Sequence, residues 1–243
     1  MPSTRTVGIL GGMGPLATAE AYRRIVMATP AERDQDHLHV VIDSNPAVPD
    51  RTAALLHGGP DPRPLLLEGA HRLLSIGAEV MCIPCNTAHA YHQWLQDRVP
   101  VPIVHMLRES ALAASGTGAA RFGLLATTGT AATGLYQSEF ERLGLHLTTP
   151  DSDAQRLVMA AINAIKADGA PEPILAALLS AVHALKEGGA EYVLVGCTEL
   201  SLVATRLGSV LPYVDALDSL VSATVRLARP VGAAPPEVVA HVL

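Results

Sequence analysis

The residues most able to do chemistry lie in VMCIPCNTAHAYHQW, residues 80–94, where Cys82 and Cys85 stand close to His89 and His92. The chain has only 3 cysteines, and the last, Cys197, lies far downstream in YVLVGCTELS. Three arrangements of these groups would do three different things. A C-x-x-C pair at a helix N-terminus is a redox motif whose first cysteine reacts. Cys82, however, falls inside an apolar strand pattern rather than at a helix start. Cys82, Cys85, His89, His92 and Cys197 could together supply zinc ligands. A structural zinc site usually brings a second close pair, though, and GCTEL has a single soft ligand. The third arrangement opposes Cys85 and Cys197. Two opposed thiols suit stereoinversion, in which one thiolate removes a proton from one face of a carbon and the other thiol returns one to the opposite face. A thiol suits this role because its ordinary pKa, about 8.5, is close to neutrality. Cys82 then becomes a small buried apolar residue. Asn86-Thr87 and Thr198-Glu199 each follow a cysteine and read as helix caps, which would set a helix N-terminus beside each thiol and lower its pKa.

The elements that must position these thiols are short apolar runs alternating with amphipathic stretches. Residues 6–10, 37–43, 78–84, 101–106, 121–127 and 190–196 read as strands, and 15–28, 63–76, 131–143, 153–167 and 172–187 as helices. Continuous apolar strands separated by helices imply buried parallel sheet with right-handed crossovers. An internal repeat organises them. HRLLSIGAEVMCIPC (71–85) matches HALKEGGAEYVLVGC (183–197) at six of fifteen positions, pairing Cys85 with Cys197 and leaving Cys82 opposite Leu194. VGILGGMGPLATAEAY (7–22) matches FGLLATTGTAATGLY (122–136) with one gap. The expected fold class is therefore α/β, with two similar parallel-sheet lobes related by a pseudo-twofold axis. Residues 1–114 would form the first lobe and 115–212 the second, with 213–243 packing back on the first. Sites in such sheets form at the carboxyl ends of strands, so the two thiols should meet in the cleft between lobes.

Composition narrows the classes. Of 243 residues 49% are hydrophobic and 16% charged, which describes a globular chain. A net charge of −6 and 3% aromatics leave neither a basic surface nor stacking platforms for nucleic acid. No run approaches the roughly 18 apolar residues of a membrane span, and an odd, small cysteine count suits a reducing compartment, so a soluble cytoplasmic protein is expected. GGMGPLA after a strand has the outline of a dinucleotide fingerprint, but Asp43 lies too far on and the fingerprint explains neither cysteine. A pyridoxal-phosphate enzyme needs a Schiff-base lysine, and only Lys166 and Lys186 exist, without a phosphate cradle. A non-catalytic binding module of the same shape would have no use for both thiols.

PCNTAH and GCTEL, with VGILGGMGP and GLLATTGT, resemble the aspartate/glutamate racemase family, and most closely its aspartate racemase branch, over about residues 5–215. The resemblance implies two α/β lobes, no cofactor and no metal, inversion of a small acidic amino acid by two cysteines, and a homodimer. It implies that Cys85 and Cys197 are catalytic. Asn86, Thr87 and Thr198 would bind the substrate's α-carboxylate and amino group, and Arg51 and Lys166 its side-chain carboxylate. Met13 and Thr127 would line the cleft. Gly14 departs from the family pattern, where a serine commonly follows GGM; this touches substrate preference rather than chemistry. Relatives with one cysteine act as decarboxylases or isomerases, so the second thiol favours inversion. His89 and Glu199, each within a helical turn of a cysteine, are candidates for tuning the thiols.

Overall fold

Each half of the chain builds its own parallel sheet, and the two sheets share one strand order. The computed structural model describes residues 4–168 and 172–229. In the first half β1 (Val7–Gly11) lies between β2 (Val40–Ser44) and β3 (Val80–Cys82), and Ile103 bridges Met81 to begin a fourth position. In the second half β4 (Arg121–Ala126) lies between β5 (His146–Thr148) and β6 (Tyr192–Gly196), with β7 (Tyr213–Asp215) in the fourth position. The helices α1 (Pro15–Ala28), α2 (Arg51–Leu56), α3 (Arg63–Ser75), α4 (His92–Gln96) and α5 (Met106–Ser115) belong to the first half. The second holds α6 (Thr128–Ala132), α7 (Gln137–Glu141), α8 (Ser152–Asp168), α9 (Glu172–Glu187), α10 (Ala204–Leu207) and α11 (Ala216–Ala228). Parallel strands require such crossovers, and β1, β3, β4 and β6 are buried almost throughout, which explains their unbroken apolar runs.

The repeat has physical causes that recur in both halves. Gly77 (φ +92) and Gly189 (φ +90) end α3 and its counterpart α9 in the left-handed region, where a side chain would be strained. The next amides, of Ala78 and Ala190, reach back to Leu73 O and Leu185 O at 3.0 Å each. Those leucines press on glycines of the central strands. A Cβ on Gly8 would stand 3.3 Å from Leu73 Cδ1, and one on Gly123 2.8 Å from Leu185 Cδ1. Glu79 Oε2 accepts from the Thr6 amide at 2.9 Å, and Glu191 Oε2 from the Arg121 amide at 2.8 Å. The fourth positions dock alike, with Met81 N donating to Pro102 O and Val193 N to Pro212 O, both at 2.9 Å. His71 and His183, the remaining identity besides the cysteines, are exposed in both copies.

A central core joins the halves, uniting Val80 and Cys82 with Phe122, Tyr136, Phe140 and the inner face of α11. Helix α11 follows the second sheet but packs on α1 and α5, and Ala228 O accepts from the Arg5 amide at 2.7 Å. Residues 230–243, part of the tail expected on the first lobe, lie outside the described residues. Arg24 of α1 braces this junction. It bonds Asp215 Oδ2 at 2.6 Å, Asp218 Oδ1 at 2.7 Å and Ser201 O at 2.8 Å.

Some elements differ from expectation. The stretch 131–143 is not one helix, because Gly134 (φ +64) separates α6 from α7 and the chain turns there to bury Tyr136. Asn86 and Glu199 cap nothing with their side chains, and only 3-10 turns, Thr87–Tyr91 and Leu200–Val203, follow the cysteines. Turns that short supply little dipole to a thiol.

Candidate active site

Four strand ends converge on one narrow cleft. After β1 the chain passes through Gly12, whose φ of +89 only glycine tolerates well and where a Cβ would stand 2.4 Å from the Asn45 backbone. This turn delivers Met13 to the cavity wall. β3 delivers Cys85, Asn86 and Thr87; β4 delivers Thr127; β6 delivers Cys197, Thr198 and Glu199. Arg51 at the start of α2 and Lys166 in the last turn of α8 complete the group. Every residue to which the family resemblance gives a catalytic or binding role thus lines this space, as does Glu199 of the two candidates for thiol tuning, whereas His89 does not. Asp50 and Thr52 line it too, unforeseen. Asp50 had a legible signal: it precedes a helix and caps it, its Oδ1 accepting from the Ala53 amide at 2.7 Å. A second, larger cavity adjoins it, sharing Met13, Asp50, Arg51, Lys166 and Glu199 and adding Pro15, Leu16 and Val48.

Both thiols are 5% exposed, but their surroundings differ. Cys197 Sγ donates to Glu199 Oε2 at 3.1 Å, and Glu199 Oε1 accepts from the Gly14 amide at 3.3 Å. Burial pushes the Cys197 thiol well above its ordinary pKa, the Glu199 carboxylate adds to this, and Lys166 opposes it. The expected lowering of this thiol is therefore reversed, since desolvation and a carboxylate outweigh a 3-10 turn. Thr198 Oγ1 donates to Pro84 O at 3.1 Å, tying the Cys197 loop to the residue before Cys85.

His89 is buried beside Cys85 but turns away from the sulfur. Its Nδ1–H donates to Cys85 O at 2.9 Å, and its Nε2 accepts from the Met106 amide at 3.1 Å. Both ring nitrogens are thus engaged with backbone, and the ring holds the loop rather than the thiol. Burial, with His92 and His105 adjacent, pulls its pKa down to about 3, so the imidazole is neutral. Cys82 is 1% exposed within the central core, and burial pushes its thiol up to about 12. It forms no part of the cavity wall.

The polar groups leave charge and donors unmatched. Arg51, 8% exposed, gives Nη1 to Val48 O and Pro49 O at 3.2 and 3.0 Å and Nη2 to Met13 O at 3.2 Å, while its buried Nε has no partner. Carbonyls hold the guanidinium but do not neutralise it, and it forms no ion pair among the described residues. Lys166 is exposed, and makes no hydrogen bond or ion pair to another described residue. Asn86 accepts from the Tyr136 hydroxyl, and its Nδ2 is buried without a partner. Thr87 Oγ1 lies 2.9 Å from both Thr127 Oγ1 and Thr130 Oγ1, a hydroxyl cluster that spans the two halves. Two cations outside any ion pair among the described residues, together with a free amide donor, are groups that can receive a carboxylate. The dinucleotide outline has no such support, because Arg72 grips Asp43 through Nε and Nη2 at 3.0 and 2.9 Å.

Fold and site together define a two-lobed α/β protein that brings one thiol from each half to a shared cleft. The Asp/Glu/Hydantoin racemase profile matches residues 10–224. The broad specificity amino-acid racemase RacX of Bacillus subtilis is 26% identical over 223 residues, covering 90% of this chain and 96% of that protein. Picrophilus torridus aspartate racemase superposes with a TM-score of 0.83 at 26% identity, over 92% of this chain and 94% of that one. The glutamate racemase of Francisella tularensis, solved with D-glutamate, shares the fold at a TM-score of 0.68 and 12% identity, over 92% of this chain and 81% of that one. The chain belongs to the Asp/Glu/hydantoin racemase family and is an enzyme of the racemase class.

Proposed function

We propose that the protein interconverts L- and D-aspartate, with glutamate as the next candidate, by moving protons at Cα between two thiols and without a cofactor. The observation that carries this reading is the meeting of Cys85 and Cys197, one from each half of a duplicated chain, in a cleft that also holds Arg51 and Lys166. Cys85 as thiolate takes the proton from one face of Cα. Cys197, whose thiol keeps its proton at rest, gives that proton to the other face. One C–H bond breaks, one forms on the opposite side, and the negative charge passes from Cys85 to Cys197. The other direction retraces these steps, with Cys197 as thiolate taking the proton and Cys85 giving its own, while Glu199 Oε2, 3.1 Å from the sulfur, accepts the hydrogen bond of the Cys197 thiol at rest. Asn86 Nδ2 and the hydroxyls of Thr87 and Thr198 receive the α-carboxylate and ammonium, with Met13 and Thr127 closing the wall. The buried Arg51 guanidinium takes the distal carboxylate and Lys166 adds a point charge at the mouth.

Two other readings fare worse. A redox C-x-x-C needs Cys82, which lies in the core away from the cleft. A single-thiol decarboxylase or isomerase leaves the second cleft thiol without a task. A homodimer in a reducing cytoplasm completes the proposal, in keeping with three free cysteines.

Proton NMR in D₂O tests it directly. L-Asp, D-Asp, L-Glu and D-Glu are incubated separately with the enzyme. Loss of the Cα–H signal together with appearance of the opposite enantiomer is expected, fastest for aspartate. Solvent deuterium entering none of the four would overturn the proposal.

A further inference from the structure

We propose that Tyr136 is a positioning residue that fixes which end of the Asn86 amide faces the cleft, so that the site offers a carboxylate a donor and not an acceptor. This rests on the reading of Asn86 as a substrate-binding residue. Tyr136 lies in the turn between α6 and α7 and is 0% exposed. Its ring stands edge-on to Phe140, with centroids 6.1 Å apart. Its Cε2 would come within 3.2 Å of a Cβ on Gly196, so the ring rests on the residue just before Cys197. Its hydroxyl reaches Asn86, the residue just after Cys85. One side chain thus touches the neighbours of both thiols.

The direction of the hydrogen bond follows from where protons can go. Ser110 Oγ donates its single proton to Met106 O at 2.7 Å. Ser110 therefore has no proton to offer the Tyr136 oxygen 3.5 Å away, and Tyr136 keeps its own for the nearer partner. The Tyr136 oxygen lies 2.5 Å from its Asn86 partner. An O–H···O bond spans about 2.5–3.0 Å, whereas N–H···O bonds run about 2.7–3.2 Å. The short contact therefore pairs a hydroxyl donor with the carbonyl oxygen Oδ1, and the amide nitrogen must point elsewhere. Nδ2 is buried with no partner among the described residues, a position stable only when a ligand acceptor arrives. Burial also raises the Tyr136 hydroxyl above its ordinary pKa, so it remains a donor throughout the working range.

The test combines two readouts, calorimetric binding of succinate and kcat/KM for aspartate, on Tyr136→Phe, Asn86→Ala and the double variant. Each single change should weaken both by about tenfold to a hundredfold, the span of a hydrogen bond to a charged group. The double variant should lose no more than Asn86→Ala alone, because Tyr136 acts through Asn86. Losses that multiply in the double variant would mean that Tyr136 only fills space, and would overturn the inference. So would wild-type behaviour of Tyr136→Phe. Should Tyr136→Phe fail to fold, Asn86→Asp decides: it keeps an acceptor for Tyr136 but turns an oxygen to the cleft, so it must bind succinate more weakly than Asn86→Ala. Equal or tighter binding overturns the inference. Asn86→Ala with wild-type affinity and turnover would instead remove the substrate-binding reading of Asn86, and the inference with it.

Discussion

Acid should loosen this enzyme through His89 before most carboxylates titrate. In the folded chain His89 has both nitrogens engaged and a pKa of about 3, against 6.5 for an ordinary histidine. A depressed histidine pKa means that the unfolded chain binds more protons between those values, so stability is full above pH 6.5 and falls as the pH drops. At pH 5 an unfolded histidine is about 97% protonated and the folded one almost wholly neutral. The resulting loss is RT times the logarithm of about 32, or about 2 kcal/mol. For a domain of this size that lowers Tm by about 4–8 °C. The added proton would sit on Nε2 and evict the Met106 amide, which explains why the fold resists it. Thermal unfolding followed by circular dichroism at pH 7.5 and 5.0 measures the effect. His89→Gln is the control, since glutamine offers one donor and one acceptor but does not titrate. The wild type should lose about 4–8 °C more than the variant across this interval, the contribution of every other group cancelling in the difference. Parallel curves would refute the reasoning, because they would locate the acid sensitivity elsewhere.

Other perturbations address the cleft. Cys85→Ser and Cys197→Ser should each abolish net inversion while permitting Cα exchange of one enantiomer, opposite enantiomers for the two variants in D₂O; normal racemisation by either would end the two-base mechanism. Cys82→Ser should keep racemising, with a stability cost of about 1–3 kcal/mol for burying a hydroxyl, read from denaturant unfolding. Arg51→Ala should lower kcat/KM for aspartate by about 2–5 kcal/mol of transition-state binding, as expected for a desolvated charge, whereas exposed Lys166→Ala should cost about 1 kcal/mol or less; the reverse order would misplace the distal carboxylate. Glu199→Gln removes the negative charge beside Cys197, so thiolate absorbance in a Cys85→Ser background should appear at lower pH than with Glu199 present, and an unchanged titration would remove Glu199 from the thiol's control.

Much of this design could be read without coordinates because it was written twice. The match of residues 71–85 to 183–197 picked Cys85 over Cys82, and the cause of each shared glycine, alanine and glutamate is a local turn or strand contact that any copy must keep. Helices α1, α8 and α9 fell within a residue or so of their expected bounds because long amphipathic periods leave a clear trace. The three-residue strands β5 and β7 left none; β5 is exposed at His146 and Thr148, with no alternation long enough to register. Tyr136 escaped for another reason. In the sequence it is one more apolar position in a helical pattern, and its partner Asn86 lies 50 residues away, on the other sheet's loop. Helix caps were inferred after both cysteines because Asn, Thr and Glu favour caps, yet here those side chains face a cavity or the opposite lobe.

Duplication supplies two like strand ends, but a racemase acting on a chiral carbon must hold its two faces in a site that is not itself symmetric. The asymmetry enters at the second residue after each cysteine. Behind Cys85 this is Thr87, whose hydroxyl joins Thr127 and Thr130 in a neutral cluster; behind Cys197 it is Glu199, a carboxylate against the thiol. The same backbone path therefore carries a neutral hydroxyl two residues after one cysteine and, after the other, a carboxylate hydrogen-bonded to its sulfur. Under the proposed mechanism this biases the resting enzyme toward keeping its proton on Cys197, because burial and the adjacent carboxylate both oppose a thiolate there. The cations do not restore symmetry, since Arg51 is fixed by first-half carbonyls and Lys166 comes from α8 of the second half. Gly14, where a longer residue is common in the family, gives its amide to Glu199 from across the interface and has no side chain to occupy the space beside that carboxylate. The half that carries Cys85 thereby helps hold the carboxylate beside Cys197, so the surroundings of the second thiol depend on both halves of the fold.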